Sequence, residues 1–351
     1  MNYKSVLVTG GAGFIGSHTC LTLLENNYEV IIVDSFTNSS KKAIEKILSL
    51  VQKSLKNIRK RLKVYDLDIR DEEKLNQIFI TSKEERKEII GVIHFAGFKS
   101  ISESMRMPIE YWHNNLNGSV NLLKCMQRNK CQTIIFSSSA SIYENTNVLI
   151  GEKFTRNPTS PYANTKNCIE IFLNDIYKSF PGEWRIANLR YFNPIGAHYS
   201  GEIGESLAIR TSNIFPMIGK VACKLTKKVF IYGNDWPSKD GTCIRDYIHV
   251  MDLAEGHLLT LDYLLNNNPS LINLNLGRGK GISVLELIKT FEKVNNLKIP
   301  YAFTERRKGD NFMSVADNKL SYKILGWYPK RDLSEMCKDG WKWFKNYPNG
   351  Y

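Results

Sequence analysis

Short apolar runs alternate with stretches whose apolar residues recur at helical spacing through the first half of the chain. Val6-Leu7-Val8 leads into Thr9 to Gly16. Ile15, Cys20, Leu23 and Leu24 follow at helical intervals, and then Val30-Ile31-Ile32-Val33, which ends on Asp34. This order predicts strand, glycine turn, helix and strand. Further strands are expected at Lys63-Val64-Tyr65, Gly91 to Phe95, Thr133 to Phe136 and Trp184 to Tyr191. Helices are expected after Asp68 to Asp71, from about Pro108 to Arg128, and after the breaks at Pro158 and Pro161. Lys41 to Lys63 reads as one helix carrying Ile44, Ile47, Leu48, Val51 and Leu55 on one side. Such alternation means a parallel sheet covered by helices on both faces. The expected class is therefore α/β, a doubly wound parallel sheet over residues 1–192. A return to the sheet is expected near 242–266, where Tyr247-Ile248-His249-Val250 is strand-like. Past Asn193 the pattern loosens into short elements punctuated by Gly196, Gly201, Pro216, Gly233 and Gly241, which predicts a smaller α+β part over 193–351.

The opening unit carries chemistry as well as fold. Gly10, Gly13 and Gly16 allow a tight turn and a close backbone approach to a pyrophosphate, at a helix N-terminus that offers N–H groups to the anion. Asp34, at the end of the second strand, is placed to accept from both ribose hydroxyls of an adenosine. Its charge would repel a 2′-phosphate, so the expected cofactor is NAD rather than NADP. The full strand–turn–helix–strand–acid context makes a Rossmann dinucleotide site the reading, where a lone glycine triplet would carry little weight.

Tyr162 and Lys166 stand at i and i+4 on a predicted helix and so share a face. An ammonium there lowers the phenol below its ordinary value of about 10 and makes it a general base. Ser139, at the end of the preceding strand, can bond the same substrate oxygen. Taken alone the Tyr–Lys spacing is common on amphipathic helices; it gains meaning from the dinucleotide unit before it.

Composition narrows the classes. The net charge of +13 comes from 48 basic and 35 acidic residues in a chain of 351. Much of the excess lies in Lys41 to Lys63, read as a solvated helix face, and in Lys220 to Lys228. No aromatic-interleaved basic motif or zinc spacing accompanies it, so no nucleic-acid partner is expected, and phosphate-bearing ligands are reason enough for a basic cleft. The seven cysteines are scattered without a C-x-x-C pair, and the six histidines show no metal-ligand spacing. A reducing compartment, no metal and a cytoplasmic location are expected, with no membrane association.

Longer motifs resemble the extended short-chain dehydrogenases/reductases, and among them the UDP-glucose 4-epimerases, from end to end. They are Thr9 to Gly16, Asp34 to Ser39, Asp68 to Arg70, His94 to Lys99, Asn114 to Gly118, Phe136 to Tyr143, Ser160 to Lys166, Arg190 to His198, Gly233 to Ala254, Arg306 to Asp310 and Trp341 to Tyr351. The resemblance implies an isomerase of nucleotide-sugar and galactose metabolism. Tyr162 takes the proton of the sugar O4 as hydride leaves C4 for a resident NAD. The 4-keto sugar turns over while its UDP end stays bound, and hydride returns to the other face. It implies NAD contacts from Phe14, Ile15, Asp34, Ser35, Asn38, Ser39, Asp68, Ile69, Phe95, Ala96, Lys99, Asn114, Ser137, Tyr162, Lys166 and Phe192. It implies UDP-sugar contacts from Ser139, Tyr162, Asn193, Asn213, Ile214, Tyr232, Arg245, Arg306 and Asp310, and a homodimer formed through two helices of the first domain. The arginines suit a diphosphate because guanidinium pairs phosphate oxygens bidentately; the plain alternative for Arg245 is an ion pair with Asp246.

Three departures stand out. Glu144 follows Tyr143 where the family has glycine, Leu207 to Ser212 lacks the usual Gly-Ile-Pro, and Ser314 occupies a position that carries tyrosine in some members. The small Ser314 opens the expectation that N-acetylated UDP-sugars are also accepted. Two other readings fit the sequence less well. A sugar-nucleotide 4,6-dehydratase of the same fold needs a carboxylate at the strand end, where this chain has Ser137-Ser138-Ser139-Ala140. A non-catalytic dinucleotide-binding or RNA-binding protein has no need of Tyr162, Lys166, Ser139 and the arginines together.

Overall fold

The computed structural model describes residues 4–52, 60–207, 213–307 and 309–351. Its main sheet has seven strands. Six are β1 (Ser5–Thr9), β2 (Glu29–Asp34), β3 (Leu62–Asp66), β4 (Ile89–His94), β5 (Thr133–Ser139) and β6 (Arg185–Tyr191); the seventh is Leu271–Leu276. The order across the sheet is Leu271–Leu276, β6, β5, β4, β1, β2, β3. β1 pairs parallel with β2 and β4, β2 with β3, and β4 with β5. Every residue of β1 and β2 is buried, as the unbroken apolar runs require of strands covered on both faces. Strand order reverses beside β1, so the loops after β1 and β4 open on the crevice where such sheets bind ligands.

The chain divides into two compact units. The first holds Met1–Ser139, Ser160–Arg190 and Ala254–Leu274; the second holds Ala140–Thr159, Tyr191–Leu253 and Asn275–Tyr351. In the first, Leu7, Ile31, Phe79, Val92, Met126 and Trp184 belong to one buried apolar cluster. Each such side chain contributes about 1.5–3 kcal/mol on leaving water. In the second, the strand Ile244–His249 is central. It pairs antiparallel with Gly281–Ser283 and parallel with Met313–Ser314 and Asn193–Ile195. Phe215, Tyr247, Phe291, Met336, Trp343 and Phe344 are buried within this unit. The seven cysteines are free thiols, and burial raises the pKa of Cys125 to about 11 and of Cys131 and Cys337 to about 12.

Four expectations are corrected. The segment 242–266 does not return to the main sheet as a strand, because Ile244–His249 spends its hydrogen bonds in the second unit's sheet. What returns is the helix Val250–Asn266, followed by the strand Leu271–Leu276. The first unit does not run unbroken over 1–192, since 140–159 and 191–192 group with the second. The helix from Pro108 to Arg128 is interrupted by a wide π-turn at Trp112–Asn117, which hydrophobic spacing does not reveal. The basic helix spans Lys41–Gln52, with β3 starting at Leu62; Leu55 and residues 208–212 lie outside the described residues.

Candidate active site

The glycine turn is built for close approach. Gly10 has φ +70°, and a Cβ on it would lie 2.7 Å from the Ala96 backbone nitrogen. A Cβ on Gly16 would lie 2.3 Å from the Gly10 carbonyl oxygen. Both positions therefore exclude side chains, and the backbone stays bare before the helix Phe14–Glu25. Asp34 is buried and already organised: its Oδ2 accepts the Ala12 N–H at 2.9 Å, and its Oδ1 accepts the Ser39 hydroxyl at 2.8 Å and the Phe36 N–H at 2.9 Å. A bare backbone cradle with a carboxylate at the end of the next strand fits the pyrophosphate and adenosine ribose of NAD.

Around it, Phe14 and Ile15 open the helix, and the Lys99 ammonium sits 5.9 Å from the Phe14 ring centre. Phe95 packs on His257, and the Ala96 N–H donates to the Thr9 carbonyl at 3.1 Å. The Ser35 hydroxyl bonds that of Thr37, and Asn38 is exposed. The Asp68 carboxylate is held by Arg70, which keeps it below the usual carboxylate range. Ile69 packs where a Cβ on Gly118 would fall. Asn114 donates to the side chain of Asn115 at 3.0 Å.

The base and its cation come from the helix Pro161–Ser179. Ser160 caps it by accepting the Ala163 N–H, and Pro161 fills its first turn. Lys166 is buried; its Nζ donates to the Ser137 carbonyl at 2.7 Å and lies 6.0 Å from the Tyr162 ring centre. Burial lowers the Lys166 pKa to about 8, so the ammonium persists at neutral pH. Ser139 hydrogen-bonds the Tyr162 phenol. Here the expectation from spacing is corrected. Desolvation pushes the Tyr162 phenol up, and the opposing influence comes from Ser139 rather than Lys166.

Asn115, Glu170 and Arg190 lie around this group as well. Asn115, in the π-turn, accepts from the Phe98 N–H and donates to the Thr165 hydroxyl, which donates to the Tyr162 carbonyl. The Asn115 carbonyl accepts from Ser119, which leaves His94 Nε2 to donate to the Ser119 oxygen and Nδ1 to accept from Thr9. Glu170 and Arg190 form a buried ion pair with a 2.6 Å contact. A charge inside the predicted strand Trp184 to Tyr191, between Leu189 and Tyr191, is the sequence signal for Arg190.

In the second unit, Arg245 and Asp310 pair at 2.7 Å. Arg245 does not pair with Asp246, whose carboxylate instead accepts the N–H groups of Arg278, Gly279 and Ala316. Arg306 turns to Asp235 at 2.8 Å and lies 3.9 Å over the Trp236 ring, so its guanidinium is committed at the surface. Its neighbour Arg307 lies 3.7 Å over the Tyr232 ring. Asn213 is the N-cap position of the helix Ile214–Ala222, Asn193 begins the short strand beside Ile244–His249, and Phe192 is buried in this unit. Ser314 stands in register with Arg245 on the neighbouring strand.

A dinucleotide cradle and a Tyr–Lys–Ser group at the end of β5 define an NAD-dependent enzyme of the short-chain dehydrogenase/reductase type. The family model described as GDP-mannose 4,6 dehydratase matches residues 7–340. A UDP-glucose 4-epimerase of Bacillus subtilis is 43% identical, covering 99% of this chain and 98% of that protein. One of Drosophila melanogaster is also 43% identical, with the same coverage of 99% and 98%. Among solved structures, the UDP-glucose 4-epimerase of Stenotrophomonas maltophila with bound NAD and formylated UDP-arabinopyranose gives a TM-score of 0.92 at 40% identity, covering 98% of each chain. That of Bifidobacterium longum in complex with NAD+ and UDP gives 0.91 at 41%, covering 99% of this chain and all (100%) of the other. The chain belongs to the UDP-glucose 4-epimerase family, within the broader family that the matching model describes.

Proposed function

We propose that this protein interconverts UDP-glucose and UDP-galactose by inverting C4, with NAD as a resident cofactor. The observation that carries the reading is the Tyr162–Ser139–Lys166 group, built at the end of β5 in the same unit as the glycine cradle and Asp34. Bound NAD supplies a hydride acceptor that hands the hydride back. Tyr162 accepts and returns the O4 proton, and Ser139 holds the same oxygen. Lys166 provides a fixed positive charge on the helix face below the phenol. Arg245 holds the diphosphate, since a guanidinium pairs phosphate oxygens bidentately. Binding energy gathered at the nucleotide end keeps the 4-keto sugar in place while the hexose turns. The strand end Ser137 to Ala140 has no carboxylate to drive an elimination, which separates this reading from a dehydratase.

The small Ser314 supports a wider range that includes N-acetylated UDP-sugars. One structural neighbour, at 32% identity and a TM-score of 0.82, covering 98% of this chain and 99% of its own, is a UDP-Glc/GlcNAc 4-epimerase of Campylobacter jejuni. Exposed Ile101, Met105, Met107, Ile109 and Ile171, all in the first unit, support a homodimer. Among the described residues no helix is long and apolar enough to cross a membrane.

The deciding experiment is incubation of purified protein with UDP-galactose and no added cofactor, followed by product analysis. Formation of UDP-glucose bears the reading out. No conversion, with NAD shown to be bound, refutes it.

A further inference from the structure

Three consecutive serines of β5 meet three residues of one helix face. Tyr162, Lys166 and Glu170 lie at i, i+4 and i+8 of the helix Pro161–Ser179 and so form one stripe. The Ser139 hydroxyl bonds the Tyr162 phenol, and the Ser137 carbonyl accepts from Lys166 at 2.7 Å. The Ser138 hydroxyl donates to Glu170 Oε1 at 2.5 Å. Glu170 also takes both arms of Arg190: Nε donates to Oε1 at 2.9 Å and an η nitrogen to Oε2 at 2.6 Å. Arg190 belongs to β6, the neighbour of β5 in the sheet. Ser138, Glu170 and Arg190 are each at most 3% exposed.

We propose that Ser138, Glu170 and Arg190 form a positioning clamp that sets the separation of Ser139 and Tyr162. The inference rests on the epimerase reading and deepens it. A buried ion pair is a poor device for stability, since apolar groups of the same volume serve as well. It is a good device for geometry, because a bidentate guanidinium admits one orientation of the carboxylate. Lys166 ties the helix to the β5 backbone, and Ile169 and Leu173 share an apolar cluster with Ile134 and Phe136 of β5 and Ile186 of β6, which fixes position more than orientation. Glu170, one turn past Lys166, adds directional bonds to the side chains of Ser138 on β5 and Arg190 on β6. Tilt of the first turn, where Tyr162 sits, is then suppressed. A proton transfer along a hydrogen bond is sensitive to that distance.

The test uses two variants of the full-length, NAD-loaded protein, assayed with UDP-galactose. Ser138→Ala deletes one bond and leaves the ion pair intact. The double variant Glu170→Met with Arg190→Met removes the clamp without leaving a buried charge unpaired. The expected result for Ser138→Ala is a kcat lower by about tenfold, with KM and bound NAD within about twofold of wild type. The double variant is expected to lose on the order of a hundredfold in kcat with the same split. If the double variant does not fold, Ser138→Ala decides alone. Unchanged kcat in Ser138→Ala overturns the clamp, as does a loss of activity that only tracks lost NAD or lowered Tm. An inactive wild type overturns the epimerase reading, and the clamp with it.

Discussion

Ser314 sits directly across from Arg245, on the parallel strand beside it. Arg245 is fixed by Asp310 at 2.7 Å and by the Asn311 carbonyl at 3.0 Å, while its register partner Ser314 is a small side chain. With serine there, wild type is expected to convert UDP-GalNAc as well as UDP-galactose. Ser314→Tyr should keep the plain pair and lose the acetylated pair by on the order of tenfold or more, since a steric change in one pocket discriminates at about that scale. Assaying both pairs with both proteins checks it. A wild type that ignores UDP-GalNAc ends the idea.

The cofactor preference should follow Asp34. Stripped protein titrated with NAD and with NADP is expected to bind NAD at least about tenfold more tightly, because a 2′-phosphate would face a buried carboxylate. Equal affinities would place the Asp34 carboxylate away from the adenosine ribose.

Tyr162→Phe should cut turnover by about 10²–10⁴-fold while UDP and NAD still bind, as the phenol supplies the proton path and little of either binding surface. Calorimetric titration with UDP, beside the activity assay, separates the two. Near wild-type turnover would remove Tyr162 as the base.

Lys166→Ala should also lose most turnover, and its residual activity should rise toward alkaline pH. Desolvation already raises the Tyr162 phenol, and without the ammonium 6.0 Å from its ring a phenolate formed during turnover loses a counter-charge on the helix face. A pH profile that keeps its shape would mean that Lys166 acts only through its bond to Ser137.

Acid should destabilise the protein through buried histidines. Burial, with the Lys166 charge adding to it, holds His94 down to about 3, and burial holds His198 down to about 4. Unfolded, each titrates near 6.5. The folded pKa values are therefore depressed, and the unfolded chain binds protons first as pH falls. Their stabilising contribution is complete above about 6.5 and is lost progressively toward 4 and then 3. Tm should be level from pH 7 to 8 and fall below 6.5. His94→Gln should show a shallower fall from a lower starting Tm, because its bonds to Thr9 and Ser119 are altered. An unchanged slope would assign the acid loss elsewhere.

The first unit was the more legible in sequence because its signals are local. Unbroken apolar runs gave β1, β2 and β4, and Gly10, Gly16 and Asp34 fall where backbone geometry demands them. Tyr162 and Lys166 were legible because helical spacing alone places them on one face. What was hidden depends on partners distant in the chain. Ile244–His249 has the composition of a main-sheet strand, and only its pairing with Gly281–Ser283 and Met313–Ser314 assigns it to the second unit. The partners of Arg306, Asp235 and Trp236, lie some seventy residues away, which no local pattern reports. The Tyr162 environment is likewise a property of burial, which the i, i+4 rule does not contain.

The desolvated thiols give this chain built-in reporters of local opening. Burial raises Cys131 in the first unit and Cys337 in the second to about 12, so at neutral pH almost no thiolate is present to react. Alkylation at either site then requires the surrounding structure to part. Mass-resolved labelling of the two cysteines in one sample would time the opening of each unit separately, with no engineered probe, and would show which of them a bound dinucleotide or a bound UDP-sugar holds shut.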